Sequence, residues 1–237
     1  MSFKSKFPPM RGLLLLFVLT VPCFAQREAK GEVSLAALSL PPGADGILHL
    51  RIGEEATVPV QLSTRYFSER LAVPPGTIRF YPQAMPAVPS GEAPPEPLLS
   101  LRIPEGPKLL YIVLWTELGE DRKHHWKAKL ISATDWKAGS MKLINSSPGT
   151  LGLSVGKKEI KLPSGKTLDF QSRDWREPFP VKIYQPGEPG EQARLIFSST
   201  WRVSAGRREL CLIGNIDGTV SLRSLIDLNA EPSAKER

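Results

Sequence analysis

The chain has 237 residues, a net charge of +7, 23% charged residues and only two cysteines. That length supports either one large β domain or two domains of about 100 residues each, with a real core in both cases. The charge is too modest for a nucleic-acid face massed with basic residues, and the cysteine count excludes a disulfide framework.

Residues 1–25 read as a secretory signal peptide. A basic opening (Lys4, Lys6, Arg11) leads into the apolar run Leu13–Val21, and Pro22-Cys23-Phe24-Ala25 follows. The run falls short of the ~20 residues that a membrane-spanning helix needs. Cleavage is expected after Ala25, which predicts a periplasmic or secreted chain starting at Gln26. Losing Lys4, Lys6 and Arg11 takes the net charge from +7 to +4, an ordinary solubility charge. Cys23 would leave with the signal, and Pro22 before it is a poor neighbour for a lipid-attachment cysteine. No later apolar segment has spanning length, so no transmembrane segment is expected in the mature chain.

Residues 26–32 (QREAKGE) read as a leader. From residue 33 onward helical periodicity is nearly absent, and short two-residue alternations recur between Gly, Pro, Asn and Asp. Strands are predicted at Ile47–Ile52, Thr57–Leu62, Thr77–Tyr81, Leu98–Ile103, Leu109–Thr116 and His125–Ser132. They continue at Met141–Asn145, Leu151–Val155, Glu159–Leu162, Thr167–Gln171, Val181–Tyr184, Ala193–Val203, Glu209–Gly214 and Thr219–Ile226. Turn dipeptides such as Gly156-Lys157, Ser164-Gly165 and Asp217-Gly218 sit between them, as hairpins require. The pattern predicts an all-β antiparallel sandwich. Six prolines from Pro82 to Pro97, both included, predict an extended, solvated loop. Residues 229–237 read as a frayed tail.

The two halves look alike. Leu71–Gln83 aligns with Ile160–Ser172, Leu98–Glu117 with Phe179–Trp201, and Ala128–Asn145 with Glu209–Leu225. This points to two tandem halves related by duplication, 33–123 and 124–228.

Familiar catalytic signatures are missing. His49 shares a strand face with Arg51, opposite Leu48, Leu50 and Ile52, and is expected to face water. His124 and His125 are adjacent, so an extended strand points them to opposite sides and they cannot chelate one ion. Only an irregular turn at 119–123 that brings in Glu120 or Asp121 would make a metal site there. The Ser164–Thr167 stretch (SGKT) lacks the leading glycine and following helix of a phosphate loop and reads as a hairpin turn. Asn145-Ser146-Ser147 matches a glycosylation acceptor, though Pro148 behind it weighs against use. Cys211, between Leu210 and Leu212, reads as a buried inert thiol. Glu54/Glu55, Glu117/Glu120/Asp121 and Glu188/Glu191 cluster in turns, where acids ordinarily solubilise a surface. Lys127/Lys129 and Lys158/Lys161 lie on the solvent side of strands and protect edges.

Five tryptophans remain. Trp115, Trp126 and Trp201 lie in strand alternations and read as core. Trp136 and Trp175 each follow Asp and precede a basic residue in turn-like sequence. They are candidate ligand-binding residues, because an exposed Trp beside charge stacks on sugars or cations. The plainer reading has each ring plugging a sandwich end.

The stretch from Met141 to Phe170 (MKLINSSPGTLGLSVGKKEIKLPSGKTLDF) runs strand, Asn-Ser-Ser-Pro turn, two hairpin strands and Leu-Pro-x-Gly turn. In this it resembles small immunoglobulin-like β-sandwich domains of exported bacterial proteins. The resemblance implies an immunoglobulin-like fold and an envelope location, and no catalytic residue. The expectation is a non-enzymatic β-sandwich protein with a binding or scaffolding role in the bacterial cell envelope, without cofactor or metal, its partner an envelope protein or glycan. A glycan-binding module using Trp136 and Trp175 is the alternative, and a hydrolase with an unrecognised carboxylate pair a third reading.

Overall fold

A computed structural model describes residues 31–106, 108–119, 121–134, 136–187, 191–216 and 219–228. The segments read as signal peptide (1–25) and tail (229–237), and residues 26–30 of the expected leader, lie outside these residues. Among the described residues the chain is all strand and turn, with no helix. None of its elements is a helix long and apolar enough to cross a membrane.

The first half contains β1 (Gly31–Ala37), β2 (Ile47–Ile52), β3 (Val58–Gln61), β4 (Leu71–Val73), β5 (Gly76–Tyr81), β6 (Leu99–Ile103), β7 (Leu109–Leu118) and β8 (His124–Ser132). The second contains β9 (Ser140–Asn145), β10 (Leu151–Val155), β11 (Lys158–Leu162), β12 (Thr167–Gln171), β13 (Phe179–Gln185), β14 (Arg194–Trp201), β15 (Arg208–Ile216) and β16 (Thr219–Asp227). Each half is a sandwich of two four-stranded sheets. The first half has the orders β3-β2-β5-β6 and β4-β1-β7-β8, and the second has β11-β10-β13-β14 and β12-β9-β15-β16. Every pairing is antiparallel except β1 with β7 and β9 with β15.

Adding eight to each strand number of the first half reproduces the second half, in both order and orientation. The architecture is therefore duplicated, but in a different register from the sequence alignments. Those pair β4–β5 with β11–β12, β6–β7 with β13–β14, and β8–β9 with β15–β16, always one strand short of the structural counterpart. Short alternating strands resemble one another, and only hydrogen-bonded neighbours say which one is equivalent. The boundary between halves moves for the same reason. β8, placed by sequence in the second half, pairs along its whole length with β7 and completes the first sandwich. The junction is the linker from Ala133 to Gly139.

Two strands escaped the sequence reading. β1 begins inside the segment taken for a leader, and its GEVSLAA sequence is buried on both faces from Val33 on, so no alternation marks it. β4 has three residues and stops at Pro74.

Three apolar layers hold the four sheets together. Val33, Leu35, Leu50, Ile78, Phe80, Leu110, Ile112 and Leu114 belong to the core inside the first sandwich. Leu143, Leu153, Val155, Phe170, Val181, Ile183, Cys211 and Ile213 belong to the core inside the second. A third layer lies between the sandwiches. It takes Ala36, Tyr111, Val113 and Ile131 from one inner sheet and Ile144, Leu210, Leu212 and Leu225 from the other, with Phe67 and Trp136 filling between them. Successive residues of β7 and β15 thus alternate between two cores rather than between core and water. The segment before β4 crosses this junction as well: Phe67 N–H donates to the Ile226 carbonyl (3.0 Å), and Ile226 N–H donates to the Arg65 carbonyl (2.9 Å).

Trp136→Ala is expected to cost about 3–5 kcal/mol, the usual range for removing a buried aromatic, and Trp175→Ala less. Urea denaturation followed by far-UV circular dichroism measures both. A Trp136→Ala loss below about 1 kcal/mol would mean that the middle layer does not join the halves.

Candidate functional site

The two candidate tryptophans do not form a platform. Trp136 is 1% exposed in the layer between the sandwiches, with its ring edge-on to Tyr111 (centroids 4.8 Å) and Phe67 (6.3 Å). A short polar linker holds it there because both inner sheets present apolar faces that need filling. Trp175 is half-buried over the end of the second core, tilted against Phe179 at 4.1 Å, with Lys158 6.0 Å from its ring. The two rings belong to different cores and Trp136 is buried, so they do not form the shared exposed platform that ligand binding by the pair requires. Plugging a sandwich end describes Trp175 alone; Trp136 fills the layer between the two sandwiches.

A polar cluster from β7, β15 and β16 lies next to Trp136. Tyr111 donates from its hydroxyl to Asp227, and Arg208 Nη1 lies 3.2 Å from that hydroxyl and 3.3 Å from the carboxylate. Arg208 Nε donates to the Trp136 carbonyl. Strands from both halves thus share one buried network at the rim of the middle layer. Burial first, then the hydrogen bond to Asp227, push the Tyr111 hydroxyl well above its usual range. A crevice of about 430 Å³ opens beside it, lined by Arg70, Lys108, Thr134 and Arg208. Two of these cations are already engaged, Arg70 with Glu32 (3.5 Å) and Arg208 with Asp227.

The remaining candidates resolve individually. The 119–123 turn does bring Asp121 to His125, Oδ1 to Nε2 at 2.8 Å, both exposed. That hydrogen bond, then the Lys123 amide, hold the Asp121 carboxyl below its usual range. Among the described residues no group of three metal-ligating side chains forms there or elsewhere; Glu120 lies outside them. Asn145 is fully buried, its amide donating to the Gly149 and Leu162 carbonyls at 2.8 Å each and its oxygen accepting from Ser147. It shapes the Asn-Ser-Ser-Pro turn and is closed to glycosylation in the folded chain. Cys211 is buried, and desolvation, then the Glu209 charge, drive its thiol far up. Glu54, Glu55, Glu117, Asp121 and Glu191 sit exposed in turns or at strand ends, and Glu188 lies outside the described residues.

Sequence reasoning missed two features, both on outer sheets. On the first sandwich, the proline-rich segment is exposed as expected but does not hang free. Thr57 N–H donates to the Met85 carbonyl (3.0 Å), Met85 N–H to Thr57 Oγ1 (2.8 Å), and Val88 N–H to the Glu54 carbonyl (2.8 Å). Tyr81 donates from its hydroxyl to the Pro95 carbonyl (3.2 Å). The strap so formed covers Arg51, which is 1% exposed; His49, which was expected in water, is half-buried. Arg51 Nη2 donates to the Pro86 carbonyl (2.7 Å), and the guanidinium lies 5.3 Å from the Tyr81 ring centre. These contacts return about 1.5–3 kcal/mol and ~2 kcal/mol, set against several kcal/mol for burying an ion. Arg51 Nε and Nη1 are shielded with no protein acceptor, as is His49 Nδ1. The signal was available: two basic residues on the outer face of β2, followed by a proline-rich loop long enough to fold back.

On the second sandwich the missed feature is β14, an outer-sheet edge. Its eight residues carry one charge, Arg194, at the start, and Leu195 is 50% exposed.

Fold and surface together define a four-layer protein of two stacked β-sandwiches whose accessible features are sheet faces and edges. No protein-family model matches the chain, and no curated protein does either.

Tyr111 and Cys211 both hold their protons more tightly when folded. Stability is fully present below the ordinary values, 9.0 for the thiol and 10.0 for the phenol, and falls as pH rises through and beyond them. Urea unfolding from about pH 7 to about pH 11 should show a plateau and then a decline. In Cys211→Ala the decline should begin about one pH unit higher. An unchanged onset would remove Cys211 from this account.

Proposed function

We propose that the chain is an exported, non-enzymatic β-sandwich protein that binds or scaffolds other components of the bacterial cell envelope, and that it takes an extended segment of a protein partner by strand addition at β14. Export and envelope location rest on residues 1–25. The binding mode rests on one observation, the contrast between β14 and the other edges.

An open strand edge invites pairing, and proteins ordinarily block it. β3 carries Pro59, β4 has three residues, β8 carries Lys127 and Lys129, and β11 carries Lys158, Glu159 and Lys161. In β12, Asp169 is paired with Lys142 (2.7 Å). β6 is five residues long and includes Arg102, while β16 is bridged by Tyr66 at Ile226. β14 has none of these devices after Arg194, apart from a bulge at Ile196 where the pairing with β13 skips a residue. From Phe197 to Trp201 the pairing is regular, with Ser198, Ser199 and Thr200 exposed. Five uncharged residues without Pro or Gly supply a ladder of the length that strand addition uses.

The glycan alternative loses its platform with Trp136 inside the molecule. The hydrolase reading needs two carboxylates facing each other across a cleft, and the described candidates lie in exposed turns.

The test is a photocrosslinking residue in place of Ser199, expressed in a bacterium. Discrete protein adducts are expected, reduced about tenfold (about 1.4 kcal/mol) by Ser198→Lys with Thr200→Lys. The same probe in place of Lys161 on β11 should give none of them. Adducts that are equal from both edges, or indifferent to the lysines, would defeat the strand-addition reading.

A further inference from the structure

We propose that the strap of residues 82–97 covers an anion site on the outer face of the first sandwich, where Arg51, Arg79 and His49 take one oxyanion group, a carboxylate or a phosphate. This site is separate from β14 and does not depend on it.

The argument starts from register. His49 and Arg51 are two residues apart on β2 and therefore share a face, about 7 Å apart. Arg79 on β5 stands directly opposite Arg51 in the antiparallel pair, and Tyr81 stands opposite His49. Like charges placed directly across a ladder repel. Among the described residues no acid forms an ion pair with Arg51 or Arg79. Of these two arginines, Arg51 is almost wholly buried, with Nε and Nη1 unpartnered, and His49 Nδ1 beside it is unpartnered too. Burying a cation against a second cation, with donors left over, is a standing cost to the fold. One anion would satisfy the free donors and neutralise the opposed pair together.

The strap explains how an anion gets in. The contacts described for it on the sheet are few: the Thr57–Met85 pair, Val88 to Glu54, Tyr81 to Pro95, and Arg51 to Pro86. Most of its residues are exposed. A segment with so few buried contacts opens locally at low cost while the sheet beneath stays folded. Lifting Met85–Val88 uncovers Arg51, and closing it seals the anion away from water, where charge-assisted hydrogen bonds are strongest.

Thermal unfolding with inorganic phosphate, with propionate and with chloride at matched ionic strength tests this. The full chain beyond the expected cleavage point is used throughout. Wild type should gain melting temperature with phosphate concentration beyond the chloride control, and the Met85 and Val88 amides should exchange more slowly in the same titration. A matching gain with propionate identifies a carboxylate ligand; a gain with phosphate alone identifies a phosphoryl group. Arg51→Met, which keeps length and apolar packing, should weaken the response at least tenfold. Arg79→Gln, at a half-exposed position, should weaken it as well, so the comparison stands even if Arg51→Met unfolds. If phosphate and propionate act no more than chloride on wild type, or if both variants respond as wild type does, the site does not exist and Arg51 only packs beneath the strap.

Discussion

The structure depends on the burial of one apolar layer between two sheets that would otherwise face water. A two-sheet sandwich normally alternates apolar residues inward with polar ones outward. Here both inner sheets are apolar on both faces, through Tyr111, Val113 and Ile131 on one side and Ile144, Leu210 and Leu212 on the other. Neither half could stand alone in water with such a face exposed. Joining them turns two ordinary sandwiches into a four-layer stack, and the parallel pairs β1–β7 and β9–β15 lie where both faces are covered, as parallel pairing requires.

Much else follows from that layer. Trp136 is drawn out of a polar linker because an aromatic ring fills the space between two flat apolar faces. Tyr111 points into the same layer, so its hydroxyl needs a buried acceptor. Asp227 supplies it, and Arg208 balances the charge, tying β7, β15 and β16 across the junction. The linker side chain with the strongest look of a ligand site is instead part of what holds the halves together.

The same layer decides where recognition can occur. With the inner sheets used up, the sheet surfaces that remain for partners among the described residues are the outer faces and the strand edges. The two outer sheets differ although their topology is the same. One is crossed by a proline-rich strap over opposed arginines, and its equivalent ends in an edge with little protection. β6 and β14 occupy equivalent places, yet Arg102 lies mid-strand in β6, whereas β14 continues uncharged from Leu195 to Trp201.

Two-residue alternation and turn chemistry were enough to read fourteen of the sixteen strands of the described residues, and the all-β sandwich class, from sequence, because both are local properties of the chain. β2, β10 and β12 fall within the predicted limits. Cys211 between Leu210 and Leu212 already showed a strand apolar on both faces, the one local sign of the middle layer. Tertiary structure alone decided the register of the repeat, the assignment of β8, the burial of Trp136 and the cover over Arg51. Each of these depends on which distant surface a residue meets: a ring beside charged residues looks solvent-exposed until a second sheet closes over it, and an outward arginine looks solvated until a loop thirty residues on folds back across it.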